Sequence, residues 1–577
     1  MTILSALAAA TLPDAAPAGY AEGKVSILVS LNLDGSVANV TDLRVFRGNK
    51  LIPANMMLPA PVKRTSGIAP NFLWDKTAYA LGVTASSGKR TADEHAAFVA
   101  RHEEWLAGTD DEGLVALLAF LRSWSPERFA APEWPVDAND GNVCFCLESQ
   151  RRAGVRLHDR PATRAAWLRL GAQDAAHDVV CLVTGEKGPL AQLHPSIKGV
   201  WGGQTAGGSI VSFNQEAFTS YGHEQGANAP VSEAAAVAYT GALNRFLRTG
   251  SKHRVQIGDA STVFWAEAEN ASVAETATGV FGQAFGNTVD SEIEAARVGA
   301  VLDAIRRGRP LAEAAPDLAE GVRFYVLGLA PNAARISIRF WLEDDFAVLM
   351  RHYGRFAEDI RLEPAPRDGF TPLWRYLNEL APQGKRENVP PNLAGEVMRA
   401  ILTGQRYPQS LLAATLMRIR ADRRVGALRA GLVKALLTRN CSGRPPVARD
   451  VDNPSEAYQL GRLFAVMEAA QYAALRRVNA PIGDRYYAAA SSTPARVFAA
   501  LMRGLKIHIS DARKRGRGGW IEPRVAEILN RLPPDLPKTL RLEDQGRFAL
   551  GYYHEKSYRS PETAGQDGTS AEGDAND

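Results

Sequence analysis

RFYVLGLAPNAARISIRFW, residues 323–341, decides the fold class of this chain. Two apolar runs flank Pro331 and Asn332, and in the second Ile336, Ile338 and Phe340 alternate with Arg335, Ser337 and Arg339. A period of two broken by turn formers predicts an antiparallel hairpin, one face buried and the other carrying arginines. Upstream, VSILVSLNLDGSVANVTDLRVF (25–46) repeats the pattern around Asp34-Gly35, so a first sheet is expected there. Helical periodicity lies between, over 91–106, 111–124, 232–247 and 291–307. Ser232 is placed to cap the third of these, with Tyr239, Leu243 and Phe246 packing on one side.

Near residue 380 the chain changes character. Beyond APQGKRENVPPN (381–392) strand signals stop and Ala, Leu and Arg take over. Asn453, Pro454 and Glu456 read as cap, first helical residue and third-position carboxylate, after which Leu460, Phe464 and Met467 recur on one face. The expected fold is therefore α+β: a mixed region with antiparallel sheets over 1–380, with room for two subdomains parting between 230 and 320. A linker with basic helices over 381–452 and a helical bundle over 453–557 follow. The acidic tail 558–577 is expected to be disordered, since SPETAGQDGTSAEGDAND offers no hydrophobic anchor.

Bulk properties exclude some classes. At 577 residues the chain has length for two to four domains. Its 67 Lys and Arg nearly balance 63 Asp and Glu, so a role with nucleic acid must rest on local patches. Four cysteines, Cys144, Cys146, Cys181 and Cys441, make no disulfide framework and suit a reducing, cytoplasmic setting. The first twenty residues have a short apolar part and no cation before Lys24, which suits an amphipathic helix better than a secretion signal. No run of about eighteen apolar residues supports a membrane span.

Catalytic signatures are near misses. GVTASSGKR (82–90) has five residues between Gly82 and Gly88 where a phosphate loop has four, and Arg90 stands where a magnesium-binding hydroxyl belongs. His223-Glu224 lacks its second histidine, and Cys144-Phe145-Cys146 lacks a second ligand pair. His158, His177 and Cys181 are read as core or surface residues. No nucleophile elbow or close carboxylate set is present. No catalytic, cofactor or metal-ligating residue is assigned.

Recognition signals are better developed. KGVWGGQTAGGSIVSFNQEAFTSYGHEQGANAPVS (198–232) crowds glycine and amides, including Asn214, Gln215, Gln225 and Asn228, beside Lys198. Such side chains donate and accept hydrogen bonds at close range. KRTSGIAPNFLWD (63–75) opens with Lys63 and Arg64, suited to phosphate, and Asn71 is suited to a base edge. The same string also reads as a surface turn entering a core strand through Phe72 and Trp74. Two basic runs follow: Arg406, Arg418, Arg420, Arg423, Arg424, Arg429, Lys434 and Arg439 around the single Asp422, then Lys506, Arg513, Lys514, Arg515 and Arg517 leading to Trp520. Either alone is compatible with a solvated helix face; together they point to a polyanion.

In order along the chain, KRTSGIAPNFLWD, SFNQEAFTSYGHEQGANAPVS (212–232), LGLAPNAARISIRFW (327–341), NPSEAYQLGRLFAVMEAAQ (453–471) and FALGYYHEK (548–556) resemble the motifs of one family. It is the large subunit of the type I-C CRISPR interference (Cascade) complex, the Csd1 family. The resemblance implies a subunit without nuclease that contacts the crRNA 5′ end, the backbone subunits and the crRNA-processing subunit. It implies reading of the short PAM in duplex DNA, seeding of target unwinding, and holding of the displaced non-target strand before a helicase-nuclease is recruited transiently.

The resemblance also implies a C-terminal domain like the complex's small subunit, made separately as well. Here no methionine stands just before Asn453, so separate production would need a non-standard codon near Val447 or Val451. Within that picture Lys63, Arg64, Asn71, Asn214, Gln215 and Gln225 are expected at the PAM duplex, and Lys198 and Asn228 are expected on nucleic acid. Arg418, Arg423, Arg424 and Arg513 are expected on displaced DNA with Trp520 stacking there, and Lys514 is expected on nucleic acid. A standalone RNA-binding scaffold and a metal-dependent nuclease are the alternatives.

Overall fold

The computed structural model describes residues 1–10, 19–48, 50–62, 64, 67–85, 88–130, 132–173, 178–286, 292–365, 371–385, 388–475 and 478–558. The expected disorder of the tail therefore falls outside the described residues from 559 on. The chain forms two compact units, 1–199 with 204–245, and 200–203 with 246–577. The change of composition near 380 lies inside the second.

In the first unit, strands β1 (Tyr20–Val25), β2 (Ile27–Leu31), β3 (Val37–Asp42), β4 (Val45–Arg47), β5 (Lys50–Ile52), β6 (Ala54–Pro59), β7 (Trp74–Lys76) and β8 (Asn142–Leu147) follow the short helix Ile3–Ala9. The main sheet runs β3-β2-β8-β7, with β2 and β8 parallel. β1 pairs with β6 and β4 with β5, while β9 (Asp178–Val180) pairs with β10 (Lys187–Pro189). β2, Ile-Leu-Val-Ser-Leu, is buried at every position, as a strand covered on both faces must be. The expected Asp34-Gly35 turn joins it to β3, and the Asp34 carboxylate accepts the Ser36 N–H.

Helices Thr91–Trp105 and Glu112–Ser123 bring Phe98, Leu117 and Phe120 into one core with Ile27, Val29 and Phe145. His102 is buried within it. Its Nε2 accepts the Leu73 N–H at 2.9 Å and its Nδ1 faces the Phe98 carbonyl at 2.7 Å. Burial pushes its pKa down to about 4, so the ring is neutral.

In the second unit, β11 (Arg254–Ile257), β12 (Ala260–Glu267), β13 (Arg323–Asn332) and β14 (Arg335–Asp345) form an antiparallel sheet in chain order. The hairpin expected over 323–341 is β13–β14. Ile336 and Phe340 are buried as expected, but Ile338 is 41% exposed. Gly328 pairs with Phe340 and Leu329 with Ile338, which leaves Arg339 as an extra residue; this bulge breaks the alternation.

One apolar core runs from Phe264, Phe324 and Val326 of this sheet through helices Ala271–Phe285, Phe346–Ile360, Pro391–Thr403, Gln409–Asp422 and Ala427–Asn440. It continues into Glu456–Ala474, Pro494–Lys514, Ile521–Leu529 and Leu542–Ser557. The segment 381–452 thus shares a core with the sheet before it and the helices after it. Glu456–Ala474 and Leu542–Ser557 cross backbone to backbone. A Cβ on Gly461 would stand 2.0 Å from the Phe548 carbonyl oxygen, and one on Gly551 2.1 Å from that of Tyr458.

The cap of Glu456–Ala474 corrects the expectation. Ser455, not Asn453, is the N-cap, and its Oγ accepts the Tyr458 N–H; the Asn453 carboxamide instead accepts the Ser455 N–H and turns the chain into the helix. Leu460, Phe464 and Met467 are fully buried. Among the described residues, no helix is long and apolar enough to cross a membrane.

Candidate nucleic-acid interface

The segment around 64–76 is held by its own ions. Arg64 pairs with Asp75, donates through Nε to the Ala69 carbonyl at 2.6 Å, and stacks 4.0 Å over the Tyr79 ring. Asp75 is 1% exposed. Burial pushes its pKa up, while Arg64 and the Asn71 N–H pull the other way. Asn71 is buried too, its Oδ1 accepting the Val62 N–H at 2.9 Å, and Phe72 stacks on Trp167. The geometry is that of a turn entering a core strand: Asn71 faces inward, contrary to the expected reach to a base edge. Lys63 lies outside the described residues.

The amide-rich run is different. Lys198, Asn214, Gln215 and Gln225 are exposed. A bridge between Ile197 and Gly208 closes the start of the run, and the Lys198 N–H donates to Asn244 Oδ1 at 2.7 Å on helix Glu233–Phe246. Asn228 turns inward on the loop. Its Oδ1 accepts the Ser220 N–H at 2.8 Å, and its Nδ2 donates to the carbonyls of His223 and Gln225 at 3.1 and 3.0 Å. Asn228 therefore positions the loop that Gln225 and Tyr221 decorate. The helix that follows is anchored as expected: Ser232 Oγ accepts the Ala235 N–H, and Tyr239, Leu243 and Phe246 are buried.

The metal-ligand types do not assemble. Among the described residues, no group of three or more His, Cys, Asp or Glu could hold a metal ion. His158 is buried, neither ring nitrogen makes a hydrogen bond among the described residues, Nε2 lies 3.9 Å from Asp159, and burial lowers its pKa to about 4. Cys144 is pushed up to about 12 by burial. At Cys181 burial raises the pKa, but hydrogen bonds from Ser232 and Thr184 outweigh it and bring it to about 6. His177 lies outside the described residues. Gly82 and Gly88 border an open depression lined also by Thr84, Thr91 and Asn139. The Asn139 carboxamide oxygen there is taken by Thr77 and the Asp140 N–H.

The two basic runs part company. In the first, Arg418 pairs with Asp422, and Arg429, nearly buried, pairs with Asp422 and Glu379. Lys434 is fully buried and donates to the carbonyls of Glu358 and Asp359 at 3.1 and 3.0 Å; burial lowers its pKa to about 8. Arg439 pairs with Asp359 and stacks on Tyr407, while Arg420 donates to Gln545. These cations hold helices together, which removes Arg418 from any open face. Arg423, in a left-handed conformation 3.7 Å from Asp484, and Arg424 are exposed.

The second run lies on helix Pro494–Lys514, about 31 Å long at 1.5 Å per residue. Phe498, Leu501, Leu505 and Ala512 bury one side. The opposite side exposes Arg496, Arg503, Lys506, Ser510, Arg513 and, just past the helix end, Arg517. Arg513 pairs with Glu522 and Lys514 with Asp511. Arg496, Arg503, Lys506, Arg515 and Arg517 have no acidic partner among the described residues. Ile507 and Trp520, the latter 43% exposed, add apolar area beside them. Sequence reasoning missed Arg496 and Arg503; Arg503 three residues before Lys506, and Arg496 seven before Arg503, place all three on one helix face, and that spacing was the available signal.

The family model described as CRISPR-associated protein (Cas_Csd1) matches residues 5–559, and the chain belongs to that family. Comparison with curated proteins gave no match.

Proposed function

We propose that this chain is the non-cleaving large subunit of a type I-C CRISPR surveillance complex. In that role it grips target DNA and leaves base identity to the guide RNA. The observation that carries the proposal is the open side of helix Pro494–Lys514, where Arg496, Arg503 and Lys506 have no acidic partner among the described residues, in a chain of this family. Such a stripe suits a phosphate backbone, which it neutralises without regard to sequence. Trp520 and Ile507 beside it suit the stacked bases of a displaced single strand.

The amide loop 204–225 suits the other half of the task. Its exposed Asn214, Gln215 and Gln225 match the donor and acceptor edges of a short duplex, with exposed Lys198 available to phosphate. Reading a few base pairs and opening them locally lets RNA–DNA pairing carry the remaining specificity. In this proposal the partners are crRNA, target and non-target DNA, the backbone and crRNA-processing subunits, small subunits like its own C-terminal helices, and a transient helicase-nuclease. The setting is the cytoplasm.

Co-expression with the partner subunits and a guide, followed by binding to a library of PAM duplexes, tests the proposal. It predicts that the chain enters the particle and that binding depends on a short duplex sequence beside the target. A particle equally tight on every flanking sequence would refute it.

A further inference from the structure

Tyr221 is 99% exposed and stands at the tip of the turn Ser220–His223. No hydrogen bond, ion pair or ring contact of its side chain is present among the described residues. A ring left wholly in water does nothing for folding. Its backbone is nevertheless constrained: φ is +54° at Tyr221 and +74° at Gly222, and the His223 N–H donates to the Ser220 carbonyl at 2.9 Å. Left-handed backbone is unfavourable for a bulky aromatic, so the surroundings must impose it. They do so through Asn228, whose three hydrogen bonds tie residues 220, 223 and 225, and through the Gly226 N–H, which donates to the Gln192 carbonyl at 3.2 Å. The loop is built to hold one aromatic ring away from the protein.

The chemistry around the ring selects its target. Between 212 and 228 the only formal charges are Glu216 and Glu224, with neither Lys nor Arg. A phosphate backbone is not drawn to such a tip, whereas amides and an aromatic face suit bases. A protein-docking anchor needs an apolar surround to exclude water, and the only other large apolar side chain exposed in this stretch is Phe218.

We propose that Tyr221 is a stacking residue that enters the first base step opened beside the PAM and holds it unstacked while guide pairing begins. This rests on the duplex-reading role given above and adds the residue that does the parting. The ring stacks on whichever base is there, because every base offers a π-face, and the phenolic hydroxyl stays in water. No bond is made or broken. Tyr221 therefore affects the rate of opening, while neighbouring amides affect which duplex is chosen.

The test uses the full guide-loaded particle and duplex targets carrying 2-aminopurine next to the PAM. Wild type should brighten the probe on binding, and Tyr221→Phe should do the same. Tyr221→Ala should lose the brightening and slow R-loop formation by about 10-fold or more, the scale of one base–aromatic stack. The same variant should recover on a target whose first base pairs are already mismatched. Opening by Tyr221→Ala at the wild-type rate would overturn the proposal. So would a defect that mismatching does not rescue, or loss of the variant from the particle despite an unchanged thermal melt, which would mark the ring as a protein anchor. If wild type itself neither brightens the probe nor prefers any flanking sequence, the duplex-reading role fails and this proposal goes with it. A sequence preference that survives in Tyr221→Ala without an opening defect removes only the stacking step.

Discussion

Arg462 Nε donates to a carboxylate oxygen of Glu555 at 2.7 Å, and both side chains are buried. Helices Glu456–Ala474 and Leu542–Ser557, which meet at Gly461 and Gly551, are thereby joined by charge as well as packing. Arg524 and Arg449 also reach Glu555, and Arg462 pairs with Glu527 on Ile521–Leu529. Burying such a set has a high desolvation cost, and its loss is asymmetric: removing one member strands the others. Arg462→Ala should lower the stability of the second unit by about 3–5 kcal/mol, seen as a lower denaturant midpoint in the full chain. An unchanged midpoint would mean that the network is not closed in solution.

Arg64 and Asp75 make a second consequential pair, because it bears on which residues touch DNA. Arg64→Ala leaves a nearly buried carboxylate without its cation, so a loss of about 3 kcal/mol is expected. Any fall in duplex binding should then follow the folded fraction, measured by a thermal melt on the same sample. Full stability with a selective loss of DNA binding would return Arg64 to the interface.

The two basic runs should behave differently in salt. Replacing Arg503 and Lys506 together should reduce the slope of log affinity against log salt for single-stranded DNA by about 1.4, roughly 0.7 for each phosphate no longer neutralised. Stability should stay within about 0.5 kcal/mol, since neither has a partner to strand among the described residues. Replacing Arg429 should leave the slope unchanged and destabilise the protein, because its ion pairs to Asp422 and Glu379 are internal.

Acid should weaken the first unit through His102. Its folded pKa of about 4 lies below the ordinary value of 6.5, so the unfolded chain takes up its proton first as pH falls. Stability is full above the unfolded value and is lost as pH drops from about 6.5 toward 4. At about pH 5 this one ring should cost about 2 kcal/mol relative to neutrality. His158, also lowered to about 4, adds in the same direction. Denaturant midpoints across this range check the sign, and His102→Gln should flatten the profile.

Strands and helices were largely legible because their signals are local. The turn at Asp34-Gly35, the hairpin around Pro331 and Asn332, and the cap at Ser232 each depend on a few neighbouring residues. Ile338 was misplaced because a single extra residue, Arg339, shifts the pleat without changing the sequence pattern. Charges were legible only as composition. Arg429 and Arg503 look alike in sequence, yet Glu379 and Asp422 claim one while no carboxylate among the described residues pairs with the other. Asn71 likewise looked available until Val62 and Asp75, brought together by the fold, turned it inward. The role of Asn228 as the clasp of the Tyr221 turn depends on three hydrogen bonds within nine residues, which composition alone does not order.

The measurement that bears most directly on the central claim is duplex DNA binding and integrity with the guide-loaded particle, assembled with and without this chain and free of any helicase-nuclease. The account predicts flank-dependent binding and R-loop formation only when the chain is present, with every phosphodiester intact. Failure to enter the particle, or DNA cleavage abolished by a point substitution in this chain, would contradict it.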